Sequence, residues 1–222
     1  EAALAQLRAT YYGLVSLADA ALGRVVADLK ASGAYDDTLI VLTADHGEHL
    51  GDHWLLGKDG YHDQAFHIPL VVRDPRAGAD AGRGRIVDAF TEAVDVMPTI
   101  LDWIGLPVPP ACDGRGLAPF LAGATPTGWR DSVHWGYDFR DVRSGHFEQA
   151  LGLDPDRCGL LVHRDRHRKY VHFAGLPPLF FDLDQDPGEL ADLAHDPARQ
   201  GEMLAYAGRL LSWRMAHEDR AL

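Results

Sequence analysis

Thr38-Leu39-Ile40-Val41-Leu42-Thr43-Ala44 is a short, β-branched and nearly all-apolar run, and it gives way at once to a dense polar cluster. A strand with no polar alternation needs cover on both faces, as in the parallel sheet of an α/β protein. Before it, Leu4, Leu7, Tyr11, Leu14, Val15, Ala18, Leu22, Val25, Val26 and Leu29 recur at three- and four-residue steps. That period predicts one long amphipathic helix over 4–32, closed by Gly33 and a turn at Tyr35-Asp36-Asp37. A second apolar run, His67 to Arg73, predicts another strand, with Pro69 at its edge or at a bulge. Helix, strand, long loop, strand is the grammar of an open α/β sheet.

Further along, a Gly-rich turn over 77–85 precedes a short predicted strand over 86–90 and a helix over 95–104 with Asp95 as its N-cap. The Gly- and Pro-rich stretch 107–128 reads as a connection, placing the α/β core in residues 1–124 and a smaller α+β subdomain in 125–222. In the latter, 132–137, 159–164 and 170–173 read as strands of a small antiparallel sheet, and 197–217 as a terminal helix.

The 222 residues include 21 Lys and Arg against 33 Asp and Glu, a net charge of −12 that repels a phosphate backbone and excludes nucleic acid as a partner. No stretch is long and apolar enough to span a bilayer. Cys112 and Cys158 have neither disulfide nor zinc-thiolate spacing, so they read as free thiols of a reducing, cytoplasmic compartment. A signal peptide ahead of Glu1 stays open, since the chain does not begin with methionine.

The polar cluster after the first strand comprises Asp45, His46, Glu48, His49, Asp52, His53, Lys58, His62 and Asp63. It lies where ligands of open α/β sheets gather, outside the carboxyl end of a strand. Asp45 and His46 form half a metal site, with Gly47 allowing a sharp turn; a catalytic ion needs further ligands and an open position. The alternative is a helix-capping Asp beside a surface His. Lys58, between Gly57 and Gly60, suits an oxyanion contact, or is simply a solvated lysine. His46, His49 and His53 at helical spacing are an alternative zinc triad, which Gly47 and Gly51 weaken. His62 and Asp63 either contact substrate or hold the loop. His134, His146, His163, His167 and His172 show no ligand spacing and read as structural or exposed.

Thr43-Ala44-Asp45-His46-Gly47-Glu48-His49-Leu50-Gly51-Asp52-His53, then Gly57-Lys58 and Ile68-Pro69-Leu70, resembles the C-terminal signature of the sulfatase family of the alkaline phosphatase superfamily. Asp19 to Gly23, Asp95 to Ile100, Asp113 to Leu117, Lys169 to Phe173, Leu179 to Leu183 and Asp186 to Leu190 extend the match along nearly the whole chain. Segments around His134-Trp135, Asp138 to Asp141 and Lys169 to Phe173 look closest to its phosphonate monoester hydrolase and phosphodiesterase branch.

The resemblance implies an alkaline-phosphatase-like sheet with flanking helices and a small C-terminal antiparallel sheet. It also implies a metal-dependent hydrolase of sulfate, phosphonate or phosphate esters acting on a small anionic ester. Asp45 and His46 would bind the metal, and Lys58 would be the catalytic, substrate-binding cation. His46, where many sulfatases carry asparagine and use calcium, shifts the expected ion toward manganese, iron or zinc.

The family's nucleophile is a formylglycine made from cysteine in a C-x-P-S-R-like motif. Neither Cys112-Asp113-Gly114-Arg115 nor Cys158-Gly159-Leu160-Leu161 fits it. The chain is therefore expected to be a fragment, inactive alone, whose N-terminal part completes the site. The branch also implies a homo-oligomer. Two other classes stay open here: a noncatalytic binding or assembly module with the same fold, and a zinc-binding protein.

Overall fold

A thirty-residue run without proline and with few β-branched residues nucleates one helix, and the rest of the chain folds into shorter pieces. In the computed structural model, which describes residues 1–218, the elements in chain order are α1 (Ala2–Ala31), β1 (Ile40–Thr43), β2 (His49–Leu50), β3 (Leu56–Gly57), α2 (Asp63–Phe66), β4 (Leu70–Arg73), α3 (Val96–Trp103), α4 (Ala118–Leu121), β5 (Ser132–Asp138), α5 (His146–Leu151), β6 (Gly159–Asp165), β7 (Arg168–Phe173), β8 (Leu179–Asp182) and α6 (Gln200–Ala216). Among the described residues no helix is long and apolar enough to cross a membrane.

The elements group into two units that interleave along the sequence rather than meeting at one cut. The first holds Glu1–Lys58, Asp63–Val87 and Leu117–Thr127; the second holds Asp59–His62, Asp88–Gly116 and the chain from Gly128 onward.

In the first unit, α1 ends where Gly33 takes φ +76, the left-handed conformation that stops a helix and that only glycine adopts freely. The turn that follows is fastened by Arg73, whose Nη1 donates to the Tyr35 and Thr38 carbonyls at 2.7 and 3.1 Å while its guanidinium lies 3.6 Å from the Tyr35 ring centre. Arg73 thereby locks the end of β4 against the entry to β1.

The parallel pairing expected for the first strand is not found: β1 and β4 run antiparallel, with Ile40 opposite Arg73 and Thr43 opposite Leu70. Apolar runs record how much cover a strand needs and carry no information on the direction of its neighbour. That cover is incomplete here, as Leu42 and Val71 are exposed and α1 buries none of its residues. The strand predicted over 86–90 does not form; the backbone there is irregular.

The second unit is built on a four-stranded antiparallel meander, β5-β6-β7-β8. Side chains alternate along β7 and β8, so Tyr170 and Phe180 face α6 with Tyr206 and Leu210, while Val171 and Phe181 join Leu160 and Val162 on the other face. Both faces are therefore covered, each large apolar side chain contributing roughly 1.5–3 kcal/mol on full burial. Strand β8 and helix α5 are additions to the predicted elements; at four and six residues they are too short for periodicity to reveal.

Asp95 precedes α3 as expected, but its side chain does not cap that helix. It is wholly buried and accepts from the Glu92 and Arg115 backbone N–H groups at 2.8 and 2.7 Å and from both Nη atoms of Arg130. A buried carboxylate is held better by a bidentate guanidinium than by a single helix N–H.

Candidate metal and oxyanion site

The residues singled out by the sequence lie just past the end of β1, in the first unit. There the chain turns through Asp45 and His46 and is caught by the backbone around α2: Gly47 N–H donates to the Ala65 carbonyl at 2.8 Å and Glu48 N–H to the Gln64 carbonyl at 2.9 Å. Glycine is required at this crossing, because a Cβ on Gly47 would sit 2.1 Å from the Gln64 oxygen. Gly47→Ala is accordingly expected to force the two segments apart. The cost should be on the order of 1–3 kcal/mol, read as a lower thermal midpoint of the intact protein; an unchanged midpoint would show that the crossing yields freely.

Within this turn the His46 backbone N–H donates to Asp45 Oδ1 at 3.0 Å, and the imidazole Nδ1 lies 2.7 Å from the Gly47 carbonyl oxygen. A carbonyl only accepts, so Nδ1 carries the proton and Nε2 keeps its lone pair. Nε2 stands 3.4 Å from Asp45 Oδ2 and 3.0 Å from Lys58 Nζ. A backbone carbonyl that fixes the tautomer and frees the other nitrogen is the usual support of a metal-binding histidine. The Asp45 side chain is 85% exposed and that of His46 is 32% exposed, so both remain open to a ligand. This donor set of one carboxylate oxygen and one imidazole nitrogen fits a divalent ion as two of its ligands. Among the described residues no group of three or more His, Cys, Asp or Glu side chains is placed to hold one.

Lys58 arrives from a small hairpin in which β2 and β3 pair His49 with Gly57 and Leu50 with Leu56. His49 is fully buried at its root. The helix that a His46, His49 and His53 triad would require is absent: His49 lies on β2 and His53 on a tight turn with φ 51. The alternative zinc reading loses its geometric basis, because the two glycines open the chain into a hairpin.

His62 and Asp63 part company. Asp63 starts α2, whereas His62 belongs to the second unit, where it is buried and its Nδ1 lies 3.1 Å from Glu189 Oε2. The other Glu189 oxygen takes the ammonium of Lys169, fully buried, which also donates to the Tyr61 carbonyl at 3.3 Å. This His62, Glu189 and Lys169 knot was missed as a unit, since its members lie far apart in sequence. Glu189 gives one further sign, a φ of 54 outside glycine.

The remaining histidines behave as structural groups. His134 and His163 bond to each other at 2.7 Å, and burial pushes His134 down to about 3, which keeps it neutral. His172 bonds Tyr170 and His167 pairs with Asp184. Both cysteines are free thiols.

Adjacent carboxylate and imidazole side chains follow β1 with a lysine held against them, in an α/β protein that matches alkaline-phosphatase-like structures. The Sulfatase family model matches residues 1–106, and the chain belongs to the sulfatase family of the alkaline phosphatase superfamily. It is 52% identical to the multifunctional alkaline phosphatase superfamily protein PehA of Trinickia caryophylli over all of this chain and 43% of that protein. The crystal structure of a phosphonate monoester hydrolase of Agrobacterium radiobacter superimposes with a TM-score of 0.91 at 49% identity, covering 99% of this chain and 43% of the other. The phosphonate monoester hydrolase of Silicibacter pomeroyi gives 0.84 at 42% identity, covering 92% and 40%. The chain thus spans less than half the length of these relatives.

Proposed function

We propose that this chain is the C-terminal part of a metal-dependent hydrolase of phosphonate or sulfate esters, and that it supplies one wall of the active site. The observation that carries the reading is the meeting of Asp45, His46 and Lys58, with His46 Nδ1 held by the Gly47 carbonyl and Nε2 3.0 Å from the lysine ammonium. Likeness to phosphonate monoester hydrolases at 42 to 49% identity favours phosphonate monoesters within that substrate range.

In this reading Asp45 and His46 are two ligands of a divalent ion, and imidazole ligation favours manganese, iron or zinc over calcium. When bound, the ion supplies Lewis-acid polarisation, and a formylglycine in the N-terminal part supplies the nucleophile. The chain's own residues do the rest. The Gly47 carbonyl keeps the His46 proton on Nδ1. Lys58 places a positive charge against the nonbridging oxygens, where negative charge grows as the ester bond breaks. The 1–124 portion contains the site, in an oligomeric cytoplasmic enzyme completed by its N-terminal part.

The test is a substrate panel on the full-length protein: aryl phosphonate monoesters, phosphodiesters and sulfate esters. Turnover of at least one class, abolished by chelation and restored by a divalent ion, is the expected result. No turnover of any class by the metal-loaded protein would contradict the proposal.

A further inference from the structure

The loop that carries Lys58 has little stiffness of its own. Gly57 takes φ 85 and Gly60 φ 98, and a Cβ on Gly57 would meet nothing within 4 Å, so no neighbouring atom confines the chain there. The β2–β3 ladder ends at Gly57, one residue short of Lys58. A flexible four-carbon stem then separates the Lys58 backbone from its ammonium, which nonetheless stands 3.0 Å from His46 Nε2. A backbone left free at this point would spread that charge over many positions, and a charge spread over many positions stabilises a transition state poorly.

The residues that follow Lys58 are tied down one after another, by partners that all lie in the second unit. The Tyr137 hydroxyl donates to Asp59 Oδ1. The Tyr61 carbonyl accepts from Lys169 at 3.3 Å, the Tyr61 ring stacks on Phe181 with centres 6.2 Å apart, and His62 meets Glu189. The last two ties belong to the buried knot and serve stability. The first is different, because Asp59 is exposed and a hydrogen bond open to water adds little to stability. Its donor is nevertheless firmly seated: Tyr137 pairs with Leu160 across β5 and β6, and its ring packs on the cluster of Leu160, Val162, Val171 and Phe181. Burial, with the Asp59 carboxylate beside it, pushes the Tyr137 hydroxyl well above its ordinary range, so it stays a donor at neutral pH.

We infer that Tyr137 and Asp59 are positioning residues for the reaction: their hydroxyl–carboxylate bond fixes the backbone directly after Lys58 and so sets the point from which the lysine reaches the substrate's oxygens. Neither residue touches substrate in this account; both act through Lys58. A side chain that delivers charge needs its root held, and Asp59 is the residue peptide-bonded to that root. The inference rests on the hydrolase reading above and goes beyond it by adding two residues, 78 positions apart in the chain, on which the lysine's placement depends.

The experiment is a double-mutant cycle in the full-length protein, with an aryl phosphonate monoester as substrate. Tyr137→Phe removes the hydroxyl and keeps the packed ring; it should lower kcat on the order of tenfold while KM and bound metal stay near wild type. Asp59→Ala should match it, and Asp59→Asn, whose amide oxygen still accepts the hydroxyl, should retain most of kcat. In a Lys58→Ala background Tyr137→Phe should cost nothing further, because the group it positions is gone. Wild-type kcat in Tyr137→Phe, the same fold loss with and without Lys58, or metal lost together with the hydroxyl would overturn the inference, the last two by making the bond a general support of the fold. Lys58→Ala separates the two levels. If it turns over like wild type, the hydrolase reading of the lysine falls and the inference with it; if it is impaired while Tyr137→Phe is not, only the roles of Tyr137 and Asp59 fall.

Discussion

Lys58→Ala in the full-length protein should lower kcat by about 10²–10³ while bound metal stays at the wild-type level. The expectation follows from geometry and charge. Lys58 Nζ lies 3.0 Å from His46 Nε2, so its ammonium stands beside the proposed ligands without itself being able to bind a cation. Its contribution is to charge that develops on the substrate's oxygens, which grows toward the transition state and so appears in kcat more than in KM. Lys58→Arg keeps the charge but spreads it over a planar fork on a differently shaped stem, and should recover part of the loss. Steady-state kinetics with elemental analysis checks both points. Turnover by Lys58→Ala equal to wild type would remove the lysine from the chemistry, and metal lost together with turnover would make its role structural.

The second large effect is on stability, at the knot in the second unit. Lys169 is fully buried, Glu189 and His62 nearly so, and the one carboxylate meets the Lys169 ammonium with one oxygen and His62 Nδ1 with the other. Glu189→Ala withdraws that carboxylate from a buried ammonium and should cost about 3–5 kcal/mol. Replacing both charges by apolar groups, Lys169→Met with Glu189→Leu, should be much less harmful than the single change, since no uncompensated charge is left inside. Glu189→Gly isolates the backbone: it relieves the positive φ yet loses the carboxylate, and it should remain well below wild type. Thermal unfolding of the intact protein ranks the four. A Glu189→Ala midpoint within a degree of wild type, or a double variant worse than the single, would refute the account of the knot.

The parts legible in the sequence were those that local rules govern. The spacing of apolar residues predicts α1 nearly to its ends, and Gly33 and three of the four strands of the meander lie where turn chemistry and alternation place them. Asp45, His46 and Lys58 stand out because a strand end followed by glycines and adjacent polar groups is a local pattern, while the roles proposed for them come from the family resemblance. What the sequence withheld was partnership over distance. Asp95 looked like a helix cap because Arg130 is 35 residues away, and His62 stayed undecided because Glu189 is 127 residues away. The antiparallel direction of β1 and β4 depends on the path of the long loop between them, which no pattern within either strand records. His46, His49 and His53 misled in the opposite sense: their spacing was helical, but Gly51 at φ 100 turned the chain back into a hairpin.

In the proposed enzyme Asp45 and His46 are ligands of the ion on which hydrolysis depends, and anomalous diffraction from crystals of the metal-loaded full-length protein shows whether they hold it. A peak bonded to His46 Nε2 and an Asp45 carboxylate oxygen at roughly 2.0–2.2 Å, with the His46 Nδ1–H still donated to the Gly47 carbonyl, is the result expected. An ion bound at other residues, with His46 Nε2 left against Lys58, would contradict it.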